Sequence, residues 1–223
     1  MSNSETLRAP CDARRPWDAR AARRLVAPLK DSRVTPNHLT TLRLVVGLGG
    51  AAAFLPGTYG WSNVAALLLV LSNFLDHADG ELARLSGKFS RFGHLYDLAA
   101  DAAVTVLTFV AVGIGVSASG LQTSVFPPAL LGLVSGCAIA LIFYLRMRLE
   151  ERLGKAGTAQ ASMGGFETED FLYLLPLMTL CDGAPLVLMA ASVIAPLYAF
   201  WVVVEYRRAM RRLHLMTAQS GSG

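Results

Sequence analysis

The chain has 223 residues, 53% of them hydrophobic and 16% charged, which is length enough for one domain. A mean hydropathy of +0.45 is more apolar surface than a soluble core of this size can hide, so an ordinary water-soluble globule is excluded and an all-α polytopic membrane protein is expected. The formal charge of +4 is too modest to imply a nucleic-acid partner. Cys11, Cys137 and Cys181 are too scattered for a disulfide framework or a metal spacing.

Residues 1–34 read as a cytoplasmic leader. From Pro16 to Lys30, the residues Trp17, Ala21, Leu25, Val26 and Leu29 recur at near-helical spacing. Arg20, Arg23, Arg24 and Lys30 fall elsewhere on the wheel. This is the pattern of an amphipathic helix lying on an anionic membrane surface. The first apolar run begins only after Pro36, behind the polar leader, so no secretory signal is visible.

Residues 35–214 form the expected membrane domain. Six spans are predicted, at about 37–55, 61–84, 92–116, 128–146, 170–180 and 185–206. Asn37 is a candidate cap for the first. Arg43 lies inside that span, where an unpaired arginine is expensive. It should snorkel outward, or meet a phosphate or an aspartate. A polar loop, Arg148–Glu167, is expected before the fifth span, and residues 215–223 read as a disordered tail.

Charge tests the span count. Lys and Arg number eight in residues 1–33, three in 84–91, four in 146–155 and four in 207–212; Arg43 completes the twenty. The remaining connections have none. This alternation follows the positive-inside rule and puts both termini, the 84–91 turn and the 148–167 loop in the cytoplasm.

The richest stretch runs from Asp76 to Asp101. Asp76 and Asp79 are three apart, Asp97 and Asp101 four apart, and each pair falls on one helical face. A turn near Gly87 is expected to fold the two helices into an antiparallel hairpin that brings four carboxylates to one point. An aspartate deep in a membrane helix costs about 2.5–3.5 kcal/mol, and four together repel unless cations intervene. Oxygen ligands favour hard ions, magnesium or manganese, and two such ions could act on a phosphoryl group. Gly80 and Gly93 leave room for a ligand beside the backbone. Solvated helix-end aspartates paired with Arg84 and Arg91 are the plainer alternative.

The pattern Asp-x2-Asp-Gly-x2-Ala-Arg-x8-Gly-x3-Asp-x3-Asp resembles the signature of the CDP-alcohol phosphotransferases. Asp76, Asp79, Gly80, Ala83, Arg84, Gly93, Asp97 and Asp101 match every fixed position. The resemblance implies a membrane enzyme of phospholipid synthesis that displaces CMP from a CDP-linked donor with an alcohol hydroxyl. It further implies two Mg2+ or Mn2+ ions, a homodimer, and CDP-diacylglycerol as donor. Asp76, Asp79, Asp97 and Asp101 would be metal ligands, with Asp101 also the general base. Gly80, Ala83, Arg84, Ser90 and Gly93 would form the donor site. The segment Pro36-Asn37-x2-Thr40-x2-Arg43 is similar to the family's first-helix motif and adds Asn37, Thr40 and Arg43 to the donor contacts.

The acceptor stays open. Arg146, Arg148 and Arg152, with Lys155, suit a phosphorylated alcohol such as inositol phosphate or glycerol phosphate, or they are plain cytoplasmic anchors. Glu167, Glu169 and Asp170 could pair with those arginines or attract an aminoalcohol such as serine, ethanolamine or choline. His77 and His94 read as packing or interfacial residues. A divalent-cation transporter is the alternative from another class. It fits poorly, because the far halves of the spans offer no continuing polar path.

Overall fold

The computed structural model describes residues 17–88, 90–120, 126–153 and 174–220. Among them are seven α-helices and no strand: α1 (Trp17–Val26), α2 (Pro36–Phe54), α3 (Tyr59–Ser86), α4 (Arg91–Ala118), α5 (Pro128–Leu153), α6 (Leu175–Leu180) and α7 (Ala184–Ser220). A 3-10 turn, Ala27–Leu29, follows α1.

Three segments, Phe92–Ala118, Pro128–Leu149 and Ala184–Arg212, are long and apolar enough to cross a membrane. They coincide with the expected third, fourth and sixth spans. α2 and α3, of 19 and 28 residues, have the length for the first and second. Polar residues such as Arg43, Asn73, Asp76 and Asp79 dilute their apolar character. The expected fifth span holds only α6, six residues or about 9 Å of helix, and its residues 170–173 lie outside the described set. α5 stays helical to Leu153, so residues 148–153 of the expected loop continue the helix. α7 runs on to Ser220, through most of what reads as a disordered tail. No glycine or proline interrupts it between Pro196 and Gly221.

Local chemistry sets the helix ends near the aspartates. α2 is capped by Thr35 and not by Asn37, because Pro36 takes the first helical position and pushes the cap back. His38 Nδ1 accepts from the Thr35 N–H at 3.2 Å, half of a capping box. α3 stops at Gly87, whose φ of +68° closes a left-handed cap with its N–H on the Ala83 carbonyl. α4 starts at Ser90, whose hydroxyl accepts from the Gly93 N–H at 2.8 Å.

The expected hairpin of α3 and α4, turned at Gly87, has a third helix set into it. The two helices make almost no direct contact, and α2 packs against both. A face of small residues permits it. A side-chain carbon on Gly47 would come within 2.8 Å of Ser72 Oγ on α3 and 2.8 Å of Val104 Cγ2 on α4. α4 also packs on α5, and α5 on α7. At Gly132 of α5, an added carbon would lie 2.1 Å from the Phe109 carbonyl oxygen, so these backbones nearly touch.

Apolar clusters hold the bundle. Phe54, Ala65, Leu69, Val112, Val116 and Leu188 fill the end remote from the aspartates. Ala138, Ile142, Ala195, Ala199 and Val202 join α5 to α7. Outward-facing Leu67, Leu186, Leu197 and Phe200 present the apolar surface that lipid requires. α1 docks on α3 through Ala22 and Val26 against Ala78 and Leu82. Its buried stripe is therefore Ala19, Ala22 and Val26, while Leu25, expected on the apolar face, is exposed. The small alanines let α1 approach α3 closely, and that contact selects the inward face.

Candidate active site

Carboxylate oxygens of Asp76 on α3 and of Asp97 and Asp101 on α4 lie within 4.8 Å of one another. Between the two helices, α2 supplies Arg43, whose side chain is only 3% exposed. Its Nη1 donates to Asp76 Oδ1 and to Asp101 Oδ1, the latter at 2.8 Å. Its Nη2 lies 3.1 Å from Asp97 Oδ1 and donates to the Asp97 backbone carbonyl at 3.1 Å. A guanidinium carries five donors in a planar fork, so a single side chain can span three acids. The pairing also removes two costs at once, because a buried arginine needs acceptors and converging carboxylates need a cation. Of the sequence alternatives for Arg43, the aspartates are realised.

The fourth acid stands apart. Asp79 is buried, and its Oδ2 accepts from Thr40 Oγ1 at 2.7 Å. It is not one of the three residues whose oxygens converge. The expectation of four acids at one point is corrected to three, with Asp79 neighbouring them. The cause is the intervening α2. Thr40 and Arg43 are three residues apart on one face of it, so each meets a different aspartate of α3. Thr40, expected on the donor, is itself buried with its hydroxyl on Asp79.

The other expected donor residues gather beside this cluster. A side chain on Gly93 would come within 2.8 Å of Asn37 Oδ1 and 2.9 Å of Ser90 Oγ, so Asn37, Ser90 and Gly93 form one corner. At Gly80, by contrast, an added carbon would meet nothing within 4 Å, which leaves open space against α3. Ala83 is half-buried and Arg84 is exposed one turn further along. Tyr96, next to Asp97, exchanges a hydrogen bond with Thr41 Oγ1 at 3.1 Å and stacks on Phe92.

Glu81 was not anticipated. It lies within the motif, between Gly80 and Ala83, and is 1% exposed. Its Oε1 accepts from Arg84 Nη1 at 2.6 Å and its Oε2 from Arg23 Nη1 of α1 at 3.4 Å. The signal was available: a buried acid is as costly at position 81 as at 76. Its face points away from the aspartates, so the spacing argument passed over it.

The acceptor candidates bind their own chain. Arg146 stacks on the Tyr198 ring, 5.4 Å from its centroid, and donates to the Tyr198 hydroxyl. Arg148 donates to the Tyr144 hydroxyl at 3.2 Å and to Glu151 at 3.4 Å. Arg152 is exposed. His94 Nε2 lies 3.3 Å from Glu151 Oε1, tying the start of α4 to the end of α5. Glu167, Glu169 and Asp170 lie outside the described residues.

Asp76, Asp97 and Asp101 fit a hard divalent cation. The donors are all carboxylate oxygen, they converge, and they already hold a cationic group among them.

Comparison with known proteins bears on this geometry. Residues 33–206 match the family described as CDP-alcohol phosphatidyltransferase. A protein of Cereibacter sphaeroides named CDP-diacylglycerol–glycerol-3-phosphate 3-phosphatidyltransferase is 41% identical over 78 residues, 34% of this chain and 35% of that protein. The match thus spans about a third of that relative's length. A cardiolipin synthase (CMP-forming) of Streptomyces coelicolor is 27% identical over 191 residues, 80% of this chain and 83% of that protein. An uncharacterized protein of Aquifex aeolicus is 34% identical over 64% of this chain and 67% of its own length. The family match covers well over half of the sequence and contains the acid cluster with the helices that position it; the chain belongs to the CDP-alcohol phosphatidyltransferase family.

Proposed function

We propose that the chain transfers a phosphatidyl group from CDP-diacylglycerol to the hydroxyl of a glycerol-phosphate-type acceptor, with release of CMP. The observation that carries the reading is the convergence of Asp76, Asp97 and Asp101 around one cationic position, within a complete family motif. The name of the Cereibacter sphaeroides relative, which specifies glycerol 3-phosphate, supports that acceptor over inositol phosphate or an aminoalcohol, and the name of the Streptomyces coelicolor relative supports CMP release. Neither name supports cation transport.

Asp76, Asp97 and Asp101, with Asp79 adjoining, would hold Mg2+ or Mn2+. Such ions, when bound, neutralise the donor's diphosphate and the departing CMP. Asp101 takes the proton from the acceptor hydroxyl. Of the three converging acids its side chain is the most exposed, 51% against 31% for Asp76 and 37% for Asp97, so it is the one an incoming alcohol reaches. The acceptor oxygen forms a bond to the phosphorus that carries the diacylglycerol. The bond from that phosphorus to the oxygen of CMP breaks, and CMP leaves with the electron pair. Arg84 and the Asn37–Ser90–Gly93 corner orient the donor, with the nucleotide lying in the open space at Gly80. Arg146, Arg148 and Arg152 would meet the acceptor's phosphate.

The reading includes six spans with both termini and the acid cluster on the cytoplasmic side, and α1 at the membrane surface. The alternation of basic clusters supports this orientation.

An acceptor panel tests the proposal. Purified protein, labelled CDP-diacylglycerol and Mn2+ are incubated with glycerol 3-phosphate, inositol phosphate, serine, ethanolamine or choline. CMP release and a labelled phosphatidylglycerophosphate product are expected with glycerol 3-phosphate. CMP release with serine alone would refute the acceptor assignment, and no release with any alcohol would refute the reaction.

A further inference from the structure

We propose that Glu81 is a positioning residue of the donor site: it aims Arg84 at the CDP-linked donor and ties that arginine, through Arg23, to helix α1. The inference rests on the donor-binding reading of Arg84.

The geometry of α3 makes the case. At about 100° per residue, take Asp76 as the origin of the helical wheel. Gly80 then lies at about 40°, Arg84 at about 80° and Glu81 at about 140°. Ala78 and Leu82, which dock α1, follow at about 200° and 240°. Arg84 therefore sits on the edge between the acid face and the face that α1 covers. A long, flexible side chain at such an edge can lie over either face. Glu81 fixes where the Arg84 head group lies, on the turn that carries Gly80. It is buried and ionisable, and each of its oxygens receives a different arginine, Oε1 from Arg84 at 2.6 Å and Oε2 from Arg23 at 3.4 Å.

The charge balance and exposure point the same way. Among the described residues, Glu81 faces two guanidinium groups, so these three side chains together carry an excess of positive charge. That excess is on the open side, because Arg84 is 58% exposed while Glu81 is 1% exposed. Next to it is the unfilled space at Gly80. An anionic ligand entering that space meets an arginine whose Nη1 is held by Glu81 and whose side chain is largely exposed. Anchoring before binding lowers the ordering cost that a free arginine would incur.

A plain clip between α1 and α3 would have the same contacts but different kinetics. The test uses the full chain in lipid nanodiscs, with CDP-diacylglycerol as the probe and glycerol 3-phosphate as acceptor. Glu81→Gln keeps the shape and removes the charge. It is expected to raise both the donor Kd and the donor KM roughly tenfold, about the worth of one charge-assisted hydrogen bond, with kcat changed less than about twofold. Arg23→Met should shift KM in the same direction and Arg23→Lys should restore most of it. Because Arg23 is on the partly exposed α1, these variants remain informative if Glu81→Gln folds poorly. Arg84→Met is the control. If it raises donor Kd while Glu81→Gln and Arg23→Met only lower the melting temperature, the positioning role is overturned and the donor role stands. If Arg84→Met leaves donor Kd unchanged, the donor role fails and the inference with it.

Discussion

Replacing Arg43 by methionine keeps the stem of the side chain and deletes the group that three aspartates share. Breaking a buried ion pair by removing one partner costs about 3–5 kcal/mol, because the other charge is left uncompensated. Arg43 is 3% exposed, but Asp97 and Asp101 are 37% and 51% exposed, so water screens part of their repulsion. The lower end, about 3 kcal/mol, is therefore expected. For a chain of this size that lowers Tm by about 6–12 °C. The partner acids stay in place, so millimolar Mg2+ or Mn2+ should recover more Tm in Arg43→Met than in the parent chain. Arg43→Lys should fall between, since an ammonium cannot span the same acceptors. The assay is thermal unfolding in detergent, followed by tryptophan fluorescence, with EDTA or with added divalent ion. A Tm within a degree of the parent in EDTA would refute the claim that Arg43 neutralises the cluster. A full loss that divalent ions do not reverse would refute the claim that cation and guanidinium answer the same charge.

Other perturbations probe different layers. Asp101→Asn should abolish CMP release while Mn2+-dependent binding of CDP-diacylglycerol, measured by equilibrium dialysis, largely persists; full turnover would remove Asp101 as the base. In the parent chain EDTA should stop CMP release and Mg2+ or Mn2+ should restore it. Gly132→Ala places a carbon where the Phe109 carbonyl oxygen lies 2.1 Å away, so α4 and α5 must separate. An overpacking cost of about 1–3 kcal/mol is expected as a fall in Tm, and an unchanged Tm would show that the close crossing does not hold the bundle.

The sequence conveyed chemistry better than it conveyed packing. Four aspartates with their glycines and Arg84 could be read because burying an acid in an apolar run is costly and so carries information. The all-helical class was legible from composition, and the turn at Gly87 from the glycine itself. What the spacing could not show was which helix fills the space between α3 and α4. Period alone places Asp76 and Asp79 on one face of α3 but does not say that Thr40 and Arg43 divide them. The docking of α1 on α3 is another contact that spacing does not show. Leu25 is more hydrophobic than Ala22, yet the close approach to Ala78 and Leu82 selects the smaller side chain. Glu81 lies off the aspartate face, so the spacing of the acids does not single it out, although one of its arginine partners, Arg84, is only three residues on.

Gly47 contributes no reactive group, yet it governs how far apart the reactive groups stand. It is the gauge block of the bundle: at its level α2 is as thin as a polypeptide can be, and Ser72 of α3 and Val104 of α4 close on the same point of it. Any bulk added there must lever the two outer helices apart about one turn from Arg43, and the aspartates travel with them. The spacing of the acid cluster is thus set in part by a residue that lends it no oxygen.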